Sequence, residues 1–451
     1  MMKKLYNIIL IALAVVGCDN FLDITPKGQV IPQTTDDFRK LLDKGYAKAP
    51  AGNSTMSYIN RSFKSDISLR SDELILRDLP TVSISTELLD VFSWGEVTAT
   101  FGSSLYPYRE FYESIVYANE VITSGAQKML DSDEKNQILG EAYALRAYNL
   151  FNLVNMYAPT YNKVTSDKDK GVPIVIKIDL EQVFPKASVA KVYEQILSDL
   201  TKAQELMNIA QQDKNKGLHY RFSKAALFAF MSRVYLYMGE YEKSVEATDQ
   251  ALSINADIVD LTKTPTISPI DENGEEMIMA LDALYGLSLR QKVFVSEDMI
   301  SKFDQINDLR FNLYVGKRET YYFIRKRGKS SFRVSELYLN KAEALAHIGN
   351  QEQSKKVLLS FTENRYDRNF HNLHKNYIDN LNKKDLIDAI LEERARELIF
   401  EGHRWFDLRR ANQKEIVHKY KDKEYTLQAN DTRYTIPFPL QAIQENPLLN
   451  D

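Results

Sequence analysis

Two glycines, Gly239 and Gly349, each stand where one helical pattern gives way to another, and they constrain this chain's fold more than any other feature. Around the first, KAALFAFMSRVYLYMGEYEKSVEATDQAL spans residues 224–252. Tyr235 lies four residues before the glycine, Tyr241 two after it, Ser244 five after it and Ala251 twelve after it. Small residues at such positions let two antiparallel helices approach closely, and the aromatics fill the space beside them, as in a tetratricopeptide helix pair. A second copy reads SELYLNKAEALAHIGNQEQSKKVLLSF, with Ala342 and Leu345 before Gly349 and Ser354 after it. The two glycines are 110 residues apart, against about 34 for one repeat. Long insertions therefore interrupt the pairs, in place of a simple array.

Other stretches extend the helical reading. Residues from about Asn136 to Tyr157 carry apolar or small side chains at helical spacing, and Pro159 stops them. Ser188 is an N-cap for a helix that buries Val192, Ile196, Leu197 and Leu200. Between them runs a polar loop with Gly171, Pro173 and Pro185 and one short extended piece from Pro173 to Ile178. With 451 residues, 44% of them hydrophobic, the chain can bury a large core. The fold class expected is mainly α: a tetratricopeptide-like helix-pair scaffold interrupted by long insertions.

The insertions are where binding chemistry belongs, because loops on a rigid scaffold vary without disturbing its core. One covers about residues 49–107 and contains Tyr58, Arg61, Asp66, Asp72, Trp94, Phe101 and Tyr106. The other covers about residues 257–332, contains Tyr285, and ends in TYYFIRKR, whose alternation predicts a hairpin.

Common catalytic signatures are missing. There is no G-x-G-x-x-G, Walker A loop, H-E-x-x-H or G-x-S-x-G. A formal charge of -4, from 58 basic and 62 acidic side chains, provides no broadly cationic surface for nucleic acid. His371 and His374, in HNLH, are the one histidine pair close in sequence, and they fall in a stretch read as polar loop. Neither a metal nor a cofactor is expected.

The first residues, MMKKLYNIILIALAVVGC, combine Lys3 and Lys4 with an apolar run from Ile8 to Val16 and then Gly17 and Cys18. This is the layout of a secretory signal, too short for a spanning helix. Val15-Val16-Gly17-Cys18 resembles a bacterial lipobox, and Cys18 is the chain's single cysteine. The expectation is a signal over 1–17, a lipid-anchored Cys18, a tether over 18–35 and one folded domain over 36–451.

The stretch ERARELIFEGHRWFDLRR, residues 393–410, poses the question of an active site. Read as one helix, it buries Leu391, Ala395, Leu398, Ile399, Trp405 and Phe406. Arg394, Glu397, Glu401, Arg404 and Asp407 are then spaced for ion pairs within the helix. Glu401 and His403, two apart, point to different faces, so the stretch reads as scaffold. Gly402 inside it implies that another backbone passes close by.

Taken in order, these segments resemble the SusD/RagB family of outer-membrane nutrient-binding lipoproteins. The resemblance rests on FLDITPKG after the cysteine, LYPYREFYESIVYANEVI with Tyr112, Ile115, Ala118 and Asn119, and GEAYALRAY. It continues through GVPIV, YEQILSDL, RFSKAALFAFMSRVYL and RVSELYLNKAEAL, with ERARELIFEGHRWFDLRR the most specific. It implies a mainly α scaffold of tetratricopeptide-like helix pairs carrying a loop-rich ligand-binding subdomain, in a non-catalytic protein of the cell surface, anchored to the outer membrane, that captures oligomeric nutrients for a TonB-dependent SusC-type transporter. An oligosaccharide is the leading ligand and an oligopeptide the variant within the family.

For a glycan, aromatic faces stack on sugar rings and polar side chains bind hydroxyls. Trp94 is then the first candidate, with Tyr58, Tyr106, Tyr285, Asp66 and Asp72 beside it. A reading of another class, a secreted helical glycoside hydrolase, would need two opposed carboxylates, and Asp66 and Asp72 are the residues it would use.

Overall fold

The computed structural model describes residues 32–48, 63–80, 82–95, 107–177, 183–284, 289 and 291–450. Helices dominate them. In chain order they include α1 (Thr35–Lys48), α2 (Phe63–Arg70), α3 (Thr86–Ser93), α4 (Tyr108–Glu120), α5 (Asp133–Tyr157) and α6 (Val189–Leu206). Then come α7 (Lys224–Met238), α8 (Tyr241–Leu252), α9 (Val334–His347), α10 (Gln351–Thr362), α11 (Arg368–Asp379), α12 (Lys383–Glu397) and α13 (Arg404–Ala411). The Ser188 hydroxyl accepts from the Lys191 N–H and caps α6, as its position predicts. Val192, Ile196 and Leu200 are fully buried below it.

The two glycine turns repeat each other bond for bond. Gly239 and Gly349 both have positive φ, +71° and +89°, and so reverse the chain between α7 and α8 and between α9 and α10. Ser244 donates its hydroxyl to the carbonyl of Ser232, and Ser354 donates to the carbonyl of Ala342. In each pair the serine stands five residues after its glycine and the acceptor seven before it. A hydroxyl of this size lets the helices touch while satisfying a buried oxygen.

The pairs are separated in sequence and stacked in space. Helix α8 packs directly on α9. Tyr241 stacks flat on His347 with ring centroids 4.2 Å apart, and Asn340 donates to the Ser232 hydroxyl at 3.1 Å. The long insertion is thus looped out of a continuous helical layer.

The β-structure is short and lies in the insertions and near the C-terminal end. It consists of antiparallel two-stranded ladders. β1 (Leu74–Leu76) pairs with β3 (Val293–Val295), and β2 (Met277–Met279) with β6 (Phe332–Arg333). β4 (Val315–Arg318) pairs with β5 (Tyr321–Ile324), and β7 (Ile416–Tyr420) with β8 (Lys423–Leu427). The hairpin read from TYYFIRKR is β4–β5. Because β1 joins the first insertion to the second, and β3 packs against β5, the two insertions form one loop-rich layer over the helices. The piece from Pro173 is held by Gly171 and Ala187, through hydrogen bonds to Ala187 and Val172, and forms no ladder. HNLH, expected as loop, lies inside α11: Asp367 caps this helix by accepting from the Asn369 N–H.

Position 349 has open space around a would-be Cβ, so Gly349→Ala tests the backbone alone. It is expected to lower stability by about 1–2 kcal/mol, the cost of a left-handed conformation for an L-residue, seen as a lower urea midpoint. An unchanged midpoint would contradict the turn geometry.

Candidate functional site

ERARELIFEGHRWFDLRR is two helices, not one. Helix α12 ends at Glu397, Phe400 and Gly402 take positive φ of 64° and 76°, and α13 starts at Arg404. The Phe400 N–H, freed by the break, donates to the buried Glu73 carboxylate at 3.0 Å. The close approach implied by Gly402 is present. A Cβ there would lie 3.0 Å from Lys64 Cγ and 3.3 Å from Lys64 Cα, on helix α2.

The break also redirects the charges. None of the expected i,i+3 pairs within the stretch forms. Arg394 reaches across the turn to Asp407 at 3.0 Å and to the Asn340 side chain at 2.6 Å. Arg404 grips Asp72 with two hydrogen bonds of 2.7 Å. Glu397 and Glu401 turn toward the second insertion.

Glu397 is the hub. Its carboxylate accepts from Arg310 at 2.9 Å, Arg365 at 3.0 Å and Arg333 at 2.5 Å, all fully or almost fully buried. Arg365 also binds Glu276 at 2.6 Å, and Arg310 binds Glu393 at 2.6 Å and Asp308 at 2.8 Å. Glu401 receives Arg333 and Lys326, each at 2.8 Å, and Lys326 donates again to the Glu397 carbonyl at 2.8 Å. Burial alone would raise both carboxyls. The guanidinium groups of Arg365, Arg333 and Arg310 outweigh it at Glu397, which is held well below the carboxylate range. At Glu401, Arg333 and Lys326 bring the value to about 2. Burial wins at Lys326, which falls to about 8.

This network positions a surface. Lys326 follows β5 by two residues, and Arg325 donates its N–H to the Tyr314 carbonyl, so the β4–β5 hairpin is pinned at its base. Val315 and its partner Ile324 are buried. Strand alternation then places Gly316, Arg318, Tyr321 and Phe323 on the opposite face, and Arg325 continues it. The Phe323 ring lies over Gly316, filling the space a side chain would take.

Arg77, just after β1, sets its guanidinium 4.9 Å from the Tyr321 ring centroid and 5.9 Å from that of Phe294. Phe294 meets Tyr321 edge-on at 4.6 Å, and Arg325 sits 6.0 Å from the Phe323 ring. Tyr321 and Phe323 are half-buried, so part of each ring faces solvent. Rings and guanidinium groups alternating on one strand face can stack on a sugar ring and donate to its oxygens. The alternation Arg318, Tyr321, Phe323, Arg325 is readable in the sequence. What hid it was Arg77, which comes from the other insertion.

The residues predicted as ligand contacts are placed otherwise. Trp94 is only 2% exposed. It stacks on His418 at 4.3 Å, and its Nε1 donates to the Arg70 carbonyl at 3.0 Å. It is a core residue and not a platform. Asp72 is buried, shared between Arg404 and Lys414, with the latter at 2.9 Å. Asp66 is 3% exposed within α2. Tyr58, Tyr106, Tyr285 and Cys18 lie outside the described residues. Among the described residues, no group of three or more His, Cys, Asp or Glu side chains is arranged to hold a metal. A pocket among Lys64, Tyr148, Arg233, Glu401 and His403 is of water size, inside the scaffold.

The fold is a scaffold of helix pairs that carries a loop-rich layer built from insertions. Residues 20–236 match a family model described as "Starch-binding associating with outer membrane", and residues 298–450 match the model of the SusD family. The chain belongs to the SusD/RagB family.

It is 25% identical to SusD-like protein P38 of Formosa agariphila, over 91% of this chain and 92% of that one. In fold it matches a SusD superfamily protein from Bacteroides thetaiotaomicron with a TM-score of 0.75 and 22% identity, covering 92% and 98% of the two chains. A laminarin-binding SusD-like protein superposes with a TM-score of 0.64 at 17% identity, covering 91% and 97%. Among the described residues no helix is long and apolar enough to cross a membrane.

Removing the hub charge should be severe. Glu397→Gln leaves three buried arginines short of an acceptor and is expected to cost about 3–5 kcal/mol in chemical denaturation at neutral pH. A loss below about 1 kcal/mol would contradict the hub role. Glu401 ionises at about 2 in the fold against 4.5 ordinarily. Its stabilisation is therefore present above pH 4.5 and lost as pH falls from there toward 2. Glu401→Gln should flatten the acid limb of the stability curve in that window, and an unchanged limb would count against it.

Proposed function

We propose that this chain is a cell-surface lipoprotein that captures an oligosaccharide and passes it, without catalysis, to a TonB-dependent SusC-type outer-membrane transporter. The observation that carries the binding step is the half-exposed Tyr321 ring, braced edge-on by Phe294 and covered on one side by Arg77. An aromatic ring fixed by its neighbours gives up little freedom when a sugar stacks on it, so more of the contact energy is kept as affinity. The laminarin-binding relative of the same fold supports a glycan as the ligand.

Asp66 and Asp72, the carboxylates a hydrolase would use, are buried, and Asp72 is neutralised by Arg404. This supports a binding role over turnover. The membrane step rests on Cys18: acyl chains on it would hold the protein at the membrane surface without a spanning helix.

A glycan and peptide array followed by calorimetry tests the ligand class. Tyr321→Ala is expected to weaken the glycan found by about tenfold, equivalent to about 1.4 kcal/mol, with the fold intact. Binding of peptides alone, or glycan affinity indifferent to Tyr321, would overturn the reading. For the anchor, Cys18→Ala should move the protein out of the membrane fraction, and continued retention there would contradict lipidation.

A further inference from the structure

The hairpin face carries more positive charge than sugar hydroxyls require. Arg318 and Arg325 lie on it, Arg77 covers its first ring and Arg327 follows at its flank, while Lys317 is on the opposite face of the hairpin beside Tyr322. Among the described residues none of them forms an ion pair with a carboxylate. Arg77 is occupied only by the Tyr321 and Phe294 rings, Lys317 by the Tyr322 ring, and Arg325 by the Asn312 carbonyl and the Phe323 ring. Among the described residues the carboxylates at hand, Asp78, Glu272 and Glu319, form no ion pair with these cations. Asp78 is engaged by Lys421 at 3.7 Å, and Glu319 is an exposed residue of the hairpin turn.

This is local, because the chain as a whole has a formal charge of -4. Five buried arginines elsewhere are paired. Arg310, Arg333, Arg365, Arg394 and Arg404 each meet at least one carboxylate. Like charges gathered on one face repel one another, and a bound anion relieves that repulsion. Guanidinium groups suit this task because their planar fork matches a carboxylate or sulfate with two parallel hydrogen bonds.

Geometry fits a chain-like ligand. Residues two apart on one strand face are about 7 Å apart, so Tyr321, Phe323 and Arg325 form a row of about 14 Å. Arg77 lies over the first ring, Arg325 beside the second, and Arg318 opposite Tyr321 across the hairpin. Rings and cations therefore alternate along a row long enough to follow more than one sugar unit.

We infer that the ligand of the β4–β5 face is an anionic oligosaccharide, bearing uronate or sulfate ester groups, recognised by Arg77, Arg318 and Arg325. This rests on the glycan-capture reading and sharpens it to a charge class. Calorimetry with three probes separates the two: an oligouronate, a sulfated galactan oligosaccharide and a neutral laminarioligosaccharide, each at low and high salt. At least one acidic probe is expected to bind about tenfold or more tightly than the neutral one, and to weaken as salt rises.

Combining Arg77→Gln, Arg318→Gln and Arg325→Gln should abolish that preference, while Tyr321→Ala weakens every glycan that binds. Which acidic probe wins assigns carboxylate or sulfate. Equal binding of the neutral probe would overturn the inference and leave glycan capture standing. An acidic preference untouched by the triple variant would overturn it also, by placing the site elsewhere. Silence of all three probes and of a wider glycan array would overturn both readings together.

Discussion

Glu397 accepts from Arg310, Arg333 and Arg365 in a site sealed from water, and the rest of the architecture depends on that convergence. The three arginines come from different parts of the chain. Arg310 precedes the hairpin, Arg333 ends the second insertion in β6, and Arg365 follows α10 of the second helix pair. One carboxylate at the end of α12 thus ties the loop-rich layer to the helical layer. Uncompensated, a buried charge of this kind would cost several kcal/mol. Here the cost is offset because Glu276, Glu393, Glu401 and Asp308 complete the pairing of the neighbouring cations.

The proposed binding face is held by this network. Glu401 and the Glu397 carbonyl hold Lys326, and Lys326 lies just beyond the strand that carries Tyr321 and Phe323. Arg77 arrives from the other side through β1, whose ladder with β3 also places Phe294. Nearby, Asp72 is fixed by Arg404 of α13. Residues of the scaffold signature therefore reach the proposed binding surface through one or two contacts. That answers why a stretch rich in Glu, Arg and His resembles an active site: an ion network that must survive burial needs the same residue types.

Much of the scaffold was legible in the sequence because its signals are local. Gly239 and Gly349, with serines five residues later, mark turns whose hydrogen bonds lie within one helix pair. Ser188 announces its helix by a cap, and TYYFIRKR announces its hairpin by alternation. Errors arose where distant contacts decide. The helix break at Phe400 is stabilised by Glu73, more than three hundred residues earlier, which no periodicity reveals. Trp94 looked like a platform because it is rare and sits in an insertion, yet His418 and the Arg70 carbonyl draw it inside. Tyr321 carries no local signal for the converse reason: the pairing of β1 with β3 is what brings Arg77 and Phe294 to it.

The ligand is proposed to lie on the hairpin face that the Glu397 network holds in place. A crystal structure of the protein with a bound oligosaccharide tests it most directly. The account predicts a sugar ring stacked on Tyr321 or Phe323 with the Arg77 guanidinium within hydrogen-bond reach of a ligand oxygen. A ligand seated elsewhere, with Tyr321 and Arg77 left untouched, would contradict it.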